Sequence, residues 1–473
     1  MPTPGFVELP AELIARLTEL LGTARVITDP GAVETLSKDF YWYSPVLTDR
    51  IGNRVAAAAV KIETLEELKA VVATVAKARV PITIRAAATG NYGQSVPLHG
   101  GLVIDVSGMN RILAIEEGVV TAEPGARLIA IENQARPLGW ELRCYPSTWV
   151  KATIGGFVGG GSGGIGSISW GGLRDLGTIK RFRILTVEEE PRLLTLEEAD
   201  TLQAFHAYGT NGVIVEVQMR LAPARAWEQL VVAGPDWEPV LDFAETIARD
   251  DAIGKRLATV LEAPIPSFFK PIKKLYPAER HLIFFEIESS QAATVVVRAA
   301  AAGLEVPHRI PHHEPRRSPM LSDYTWNHTT LWALKHDPQW TYLQSGFGAN
   351  FKEQCQTLRD RFPGEILFHL EFVRGNSKMG QFGEVMCGGI PLVYFKSETR
   401  LREIIDACTE IGVFTANPHT CYIEEGSRDQ GFEAQRALKT EADPHALLNP
   451  GKMKRFPRNP FAAAGAMPEF LFP

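Results

Sequence analysis

"TIGGFVGGGSGGIGSISWGG", Thr153 to Gly172, carries glycine at half of its positions. Each glycine loses more conformational freedom on folding than any other residue would, so the run needs a compensating contact. The dinucleotide fingerprint G-x-G-x-x-G occurs twice in it, at Gly159-Gly161-Gly164 and at Gly161-Gly163-Gly166. So much glycine nearly guarantees such a match, and the fingerprint also requires a strand before it and a helix after it. "YPSTWVKA" precedes the run and "SISWGGLRD" follows it, so the Rossmann reading fails. What remains is a loop whose exposed N–H groups converge on an anion, an arrangement that phosphate favours. A flexible linker would hold few apolar residues. Here Ile154, Phe157, Val158, Ile165, Ile168 and Trp170 are interspersed, which predicts a packed, ligand-cradling loop.

Two more small-residue turns lie on either side. "RAAATGNYGQ" (Arg85 to Gln94) follows a predicted strand, and "AYGTNGVIVEV" (Ala207 to Val217) leads into another. Three such turns suit a long cofactor better than a small anion. Around them the first half alternates strand and helix. "RVAAAAV" (Arg54 to Val60) and "VPITIR" (Val80 to Arg85) read as strands. Between them Thr64 to Glu67 forms a capping box, and Leu65, Leu68, Val71, Val72 and Val75 line one helical face. The result is a βαβ unit. "LVIDVS" and "VVTAE" continue as strands, and Pro124-Gly125 turns into a helix ending near Gly139. From Ala226 longer helices such as "EPVLDFAETIARDD" alternate with strands such as "HLIFFEIE" and "EILFHLEFV". The expected division is therefore a first domain over 1–225, a second over 226–415, and a segment 416–473 that returns to the first.

Composition sets the outer limits. The 473 residues and 45% hydrophobic content are those of a soluble globular protein of two or three domains. A net charge of −6 argues against nucleic acid as a partner. Leu13, Leu17, Leu20 and Leu21 recur at helical spacing, so the N-terminus reads as an amphipathic surface helix and not a signal peptide. No apolar run reaches the roughly 18 residues of a spanning helix. Five scattered cysteines, Cys144, Cys355, Cys387, Cys408 and Cys421, give no disulfide or metal-ligand spacing and suit reduced thiols in the cytoplasm.

Taken together, these segments resemble the FAD-binding domain of the vanillyl-alcohol-oxidase/p-cresol-methylhydroxylase (PCMH-type) superfamily, in its glycolate oxidase/D-lactate dehydrogenase branch. The family's R-G-G-G-T loop corresponds to "RAAATGNYGQ", and "GGLVIDVSGMNRIL" (Gly100 to Leu113) follows its G-G-x-V-I-D-x-S-x-M-N-x-I-L. "VVTAEPGA", "YPSTWVKATIGGFVGGGSGGIGSISWGGLRD", "YGTNGVIVEV" and "LLNPGKM" match further segments in the right order, over about half the chain. The resemblance implies an α+β fold: a two-subdomain PCMH-type FAD-binding domain with an α+β substrate cap. It also implies a cofactor site. Arg85, Ala86, Ala87, Ala88, Thr89, Gly90 and Asn91 would form the first phosphate loop. Pro146, Ser147, Thr153, Ile154, Gly155 and Gly156 would lie along the diphosphate and flavin. Ser162, Gly163, Gly164, Trp170 and Gly171 would continue around the cofactor, Gly212 and Ile214 would present backbone groups, and Asn449 would sit near the isoalloxazine. "RAAA" in place of RGGG is tolerable only if those residues need no positive φ. Members that attach FAD covalently place a histidine where Gly90 and Asn91 stand or a cysteine close to Trp149. Neither is present, so non-covalent FAD is expected.

A flavin accepts the hydride, and the protein orients the donor and handles the proton. Histidine is the commonest base. On "EILFHLEFV" strand alternation puts His369 and Glu371 on one face with Leu367 and Val373, a base with its orienter or else a solvent-facing polar strip. His328 lies among aromatics in "YTWNHTTLWAL", in a pocket or as a core histidine satisfied by backbone. His419 in "ANPHTCY" stands where the chain returns to the FAD domain, facing the flavin or merely in a loop. In the proline-rich loop "VPHRIPHHEPRRSPM", His308, His312, His313 and Glu314 lack a fixed ligand spacing, so no metal is expected. Arg309, Arg316 and Arg317 read as a positive lip, with Arg317 the candidate partner of a substrate carboxylate, or as a solvated loop.

The sequence thus reads as an FAD-dependent oxidase or dehydrogenase acting on a CH–OH donor, a small anionic 2-hydroxy acid first. A sugar or aldonolactone oxidase, a flavin-dependent synthase without net redox change, and a non-catalytic flavoprotein subunit of a complex are the alternatives. The electron acceptor, and whether the chain works as a homodimer or inside a complex, stay open at this level.

Overall fold

The computed structural model describes residues 6–312, 320–375, 383–425 and 432–462. The βαβ unit forms as the pattern requires. Strands Ala58–Lys61, Leu102–Asp105 and Ile82–Arg85 lie parallel, in that order, with Val26–Ile27 on the outer edge. Helix Leu65–Lys77 starts at the Thr64/Glu67 capping box and buries Leu68, Val71, Val72 and Val75. Leu13, Leu17 and Leu21 of helix Ala11–Leu21 join the same core. Near the C-terminus Leu448 bridges Ile82, and Asn449 N–H donates to Ile82 O at 2.6 Å, extending this sheet at its far edge.

A second, antiparallel sheet runs Ile112–Glu116, Val119–Ala122, Val213–Pro223, Ile179–Leu185, Leu193–Glu197, and Trp140–Leu142 pairs the end of Val213–Pro223. Several of these strands carry mixed burial, as in Ile112–Glu116, which blurs their alternation. The third sheet has eight antiparallel strands. It runs Glu305–Ile310, Trp227–Gly234, His281–Glu288, Lys255–Leu261, His369–Arg374, Val385–Gly389, Gln344–Gly346, Phe414–Ala416. On one face Phe368, Leu370 and Phe372 share a core with helices Trp237–Arg249, Phe351–Arg361 and Glu398–Glu410. Residues of the opposite face, among them Val231, Leu257 and Phe284, pack into the core that holds Ile154, Phe157 and Val158. The cap is thereby fastened onto the glycine-rich segment. No helix among the described residues is long and apolar enough to cross a membrane.

Two local expectations are corrected. The glycine run is not a loop: Ile154–Gly160 and Ser167–Trp170 are short helices, the first capped by Thr153, whose Oγ1 accepts from Gly156 N–H at 3.3 Å. Glycine disfavours helix by about 1 kcal/mol per residue. Burial of Ile154, Phe157 and Val158 at positions i, i+3 and i+4 overrides that preference. The proline-rich "loop" begins as an edge strand, Glu305–Ile310, where a proline can be tolerated.

Candidate active site

Three turns and the cap sheet enclose a cleft of about 740 Å³. The first turn leaves strand Ile82–Arg85 and lines the cleft with Ala86, Ala87, Ala88, Thr89, Gly90 and Asn91. Arg85 borders it, but its guanidinium donates to the carbonyls of Thr35 (3.4 Å), Leu36 and Lys38 (3.2 Å) at the end of helix Pro30–Leu36. It secures that helix and is not aimed at a phosphate. Ala88 stands at φ +48°, so the condition placed on "RAAA" is not met: one alanine occupies left-handed backbone.

The glycine helix supplies the second wall. Pro146, Thr153, Gly155, Gly156, Ser162 and Gly163 line the cleft, whereas Ser147, Ile154, Gly164, Trp170 and Gly171 do not. Ile154 belongs to the core. A Cβ on Gly164 would fall 2.0 Å from Tyr145 O, so that glycine serves the chain's own close approach. Trp170 lies under the Arg143 guanidinium at 5.0 Å. A Cβ on Gly159, by contrast, would meet nothing within 4 Å, and one on Gly156 only Thr153 Oγ1 at 3.1 Å. Both leave bare backbone on the cleft wall where the protein's own packing does not demand it. Gln94 Oε1 is buried without a partner in the chain, in the space that a Cβ on Gly90 would take. These features fit an extended dinucleotide.

The third turn runs along the end of that helix and lines the cleft with Tyr208, Gly209, Asn211, Gly212 and Ile214. His206 N–H donates to Val158 O and Tyr208 N–H to Gly159 O, both at 3.0 Å. Asn449 does not reach the cleft. Its amide donates to Gln94 O (2.9 Å) and Tyr208 O (2.5 Å), tying the first turn to the third from behind. Lys452 adds bonds to Gln94 O (2.7 Å) and Gly93 O, and burial lowers its pKa to about 8.

On the cap side His369 and Glu371 are both buried and joined Nε2 to Oε1 at 2.8 Å. Glu371 lines the cleft and His369 stands behind it. Glu371 Oε1 also accepts from Trp326 N–H (3.0 Å), and its Oε2 from Thr259 Oγ1 (2.6 Å). Trp326 is thereby held at φ +52°, ψ −137°, a backbone state that costs free energy and is found at functional sites. The other two candidate histidines, His328 and His419, do not line the cleft. His328 donates from Nδ1 to Asp323 O at 2.9 Å, and burial lowers its pKa. His419 accepts from Ser44 Oγ at Nδ1 (2.7 Å) and donates from Nε2 to Tyr342 O (2.9 Å), with both ring nitrogens spent away from the cleft. Arg309 pairs with Glu228 on the edge strand and forms no lip to the cleft. His313, Glu314, Arg316 and Arg317 lie outside the described residues.

The structure adds residues that spacing did not reveal. His206 lines the cleft with Nδ1 on Gly161 O at 2.9 Å, and burial with the nearby Arg174 charge holds its pKa down to about 4. Arg174, Arg374 and Tyr92 line it too. Only the neighbouring "AYGTNG" hinted at His206.

Comparison with known proteins places this geometry. A sequence profile for the family described as FAD binding domain matches residues 56–190. An FAD-linked oxidoreductase of Mycobacterium tuberculosis is 26% identical over 262 residues, so the match spans 54% of each chain, about half that relative's length. The glycolate oxidase subunit GlcD of Bacillus subtilis is 31% identical over 434 residues, 84% of this chain and 88% of that protein. Among solved structures, p-cresol methylhydroxylase superposes with a TM-score of 0.65 over 93% of this chain and 96% of that one, at 13% identity, which speaks for the fold alone. The chain belongs to the family of FAD-linked oxidoreductases that share this FAD binding domain, on the fold that p-cresol methylhydroxylase also has.

Proposed function

We propose that the protein oxidises the CH–OH carbon of a 2-hydroxy acid, with FAD held non-covalently by the three turns. Bound there, FAD supplies the acceptor for the hydride equivalent that leaves the donor carbon. The observation that carries the reading is the buried Glu371–His369 pair on the cleft. Glu371 receives the hydroxyl proton, and His369, Thr259 and the Trp326 N–H fix its two oxygens. His369 is thus a positioning residue. Arg174 offers a cation for the substrate carboxylate. The similarity to a glycolate oxidase subunit supports the donor class. Non-covalent binding is supported by Gly90 and Asn91 in the first turn and by Cys144, which lies buried against Ser167 Oγ at 3.3 Å. The five buried, unpaired cysteines suit a cytoplasmic enzyme.

The test is anaerobic reduction of the reconstituted holoprotein by a 2-hydroxy acid, followed as bleaching of the flavin's visible absorbance. Glu371→Gln keeps shape and neighbours, and is expected to slow reduction by about a hundredfold with FAD content unchanged. Reduction at the original rate sinks the assignment of Glu371. Acid precipitation is expected to release all flavin into the supernatant, and a yellow pellet refutes non-covalent attachment.

A further inference from the structure

The cap sheet meets the cleft through four strands, and their register fixes a row across it. Glu371 stands opposite Gly388, Gly388 opposite Gly346, and Gly346 opposite Phe414. One step along, Val373 stands opposite Met386. Side chains alternate across a strand, so Glu371 and Val373 share the cleft face while Leu370 and Phe372 point into the helix-side core. The middle of the row is therefore a shallow trough with no side chains, between an acid at one end and a phenyl ring at the other.

Gly388 is not required by the protein itself. Its φ lies outside the left-handed region, and an added Cβ would make only ordinary contacts, 3.5 Å to Ser345 O, 3.6 Å to Glu371 O and 4.0 Å to Val373 Cγ2. Glycine inside a strand is less favourable than alanine, because it costs more freedom and packs no side chain. A glycine at such a place marks a close approach by something outside the chain. The trough's flanks say what kind of group that is. Met386 and Phe414 both line the cleft yet stay 40% and 38% exposed, among the few large apolar side chains so exposed.

We propose that Gly388 determines substrate size: the trough seats a bulky, flat apolar side chain of the donor, whose oxygen-bearing carbon lies at the Glu371 end. The preferred donors are then 2-hydroxy acids with an aromatic or long aliphatic substituent, not glycolate or lactate. This rests on the oxidase reading above, and the test separates the two.

Holoprotein and its Gly388→Val variant are compared in two measurements. In the first, oxidised holoprotein is titrated with unreactive carboxylates, acetate and 2-naphthoate, and the perturbation of the flavin spectrum gives their affinities. The original protein is expected to bind naphthoate more tightly than acetate. Gly388→Val should weaken naphthoate by about tenfold or more and leave acetate and FAD affinity within about twofold. In the second, anaerobic reduction by 3-phenyllactate is expected to outpace lactate, with the preference lost in the variant. A β-branched residue suits a strand, so the variant should melt no lower than the original, which excludes misfolding as the cause. Equal affinity for both carboxylates in the original protein, or an equal effect of the substitution on both, overturns the trough. If no hydroxy acid reduces the flavin but the carboxylate series behaves as expected, the trough stands and the oxidase reading falls.

Discussion

Ala88 sits where its own side chain is unwelcome. At φ +48° an L-residue brings Cβ against the following carbonyl, at a cost of about 1–2 kcal/mol. Changing it to glycine removes that strain but returns about 0.5–1 kcal/mol of freedom to the unfolded chain. Ala88→Gly is therefore expected to leave stability unchanged or raise it by up to about 1.5 kcal/mol. Ala86 makes the contrast, because it packs against the core of the first sheet. Ala86→Gly should lower stability by about 1 kcal/mol, as lost freedom adds to lost contact. Urea unfolding of the apoprotein reads both. If the two substitutions cost the same, Ala88 carries no strain worth naming.

At the scale of elements, Asn449 and Lys452 act on the cleft without lining it. Asn449 and Lys452 converge on the Gln94 carbonyl, and Asn449 also holds Tyr208 of the third turn. Asn449→Ala takes the side-chain donor from the Tyr208 carbonyl, leaves Gln94 O to Lys452, and unties two walls of the cleft. FAD affinity is expected to fall by about tenfold or more, measured by fluorescence quenching on reconstitution. Unchanged affinity would show that the walls hold their places unaided. This arrangement also shows what the sequence could reveal. The order of motifs announced the three turns, because each needs particular backbone in a particular order. The capping box and the Leu68–Val75 face were legible because their signals are local. The roles of Arg85 and Asn449 were not, since both lie in matching motifs yet spend their side chains on carbonyls far along the chain. The glycine helix was hidden because its stability comes from Phe157 and Val158 packing under a distant sheet, which no propensity registers. His369 and Glu371 fell on one strand face as alternation required, but only the packed structure shows that Glu371 stands in front.

At the scale of the molecule, buried neutral histidines make the assembly sensitive to acid. His419 joins three parts of the chain: Ser44 near the N-terminus, Tyr342 of the cap and the returning segment that carries it. His206 joins the glycine helix to the third turn. Burial holds both at about 4, below the ordinary histidine value. The folded state thus refuses a proton that the unfolded chain accepts near pH 6.5. Each histidine's contribution is full above that pH and is lost progressively as pH falls towards 4. For His419 alone the loss between pH 7 and pH 5 is about 2 kcal/mol. Gln in its place can still donate to Tyr342 O and accept from Ser44, but it does not titrate in this range. His419→Gln is therefore expected to keep most of the stability at pH 7 and to remove about 2 kcal/mol of the acid-induced loss, read from urea unfolding at the two pH values. An undiminished acid loss in this variant would mean that His419 already carries its proton in the folded protein, against the Nδ1 acceptor role that its bond from Ser44 requires.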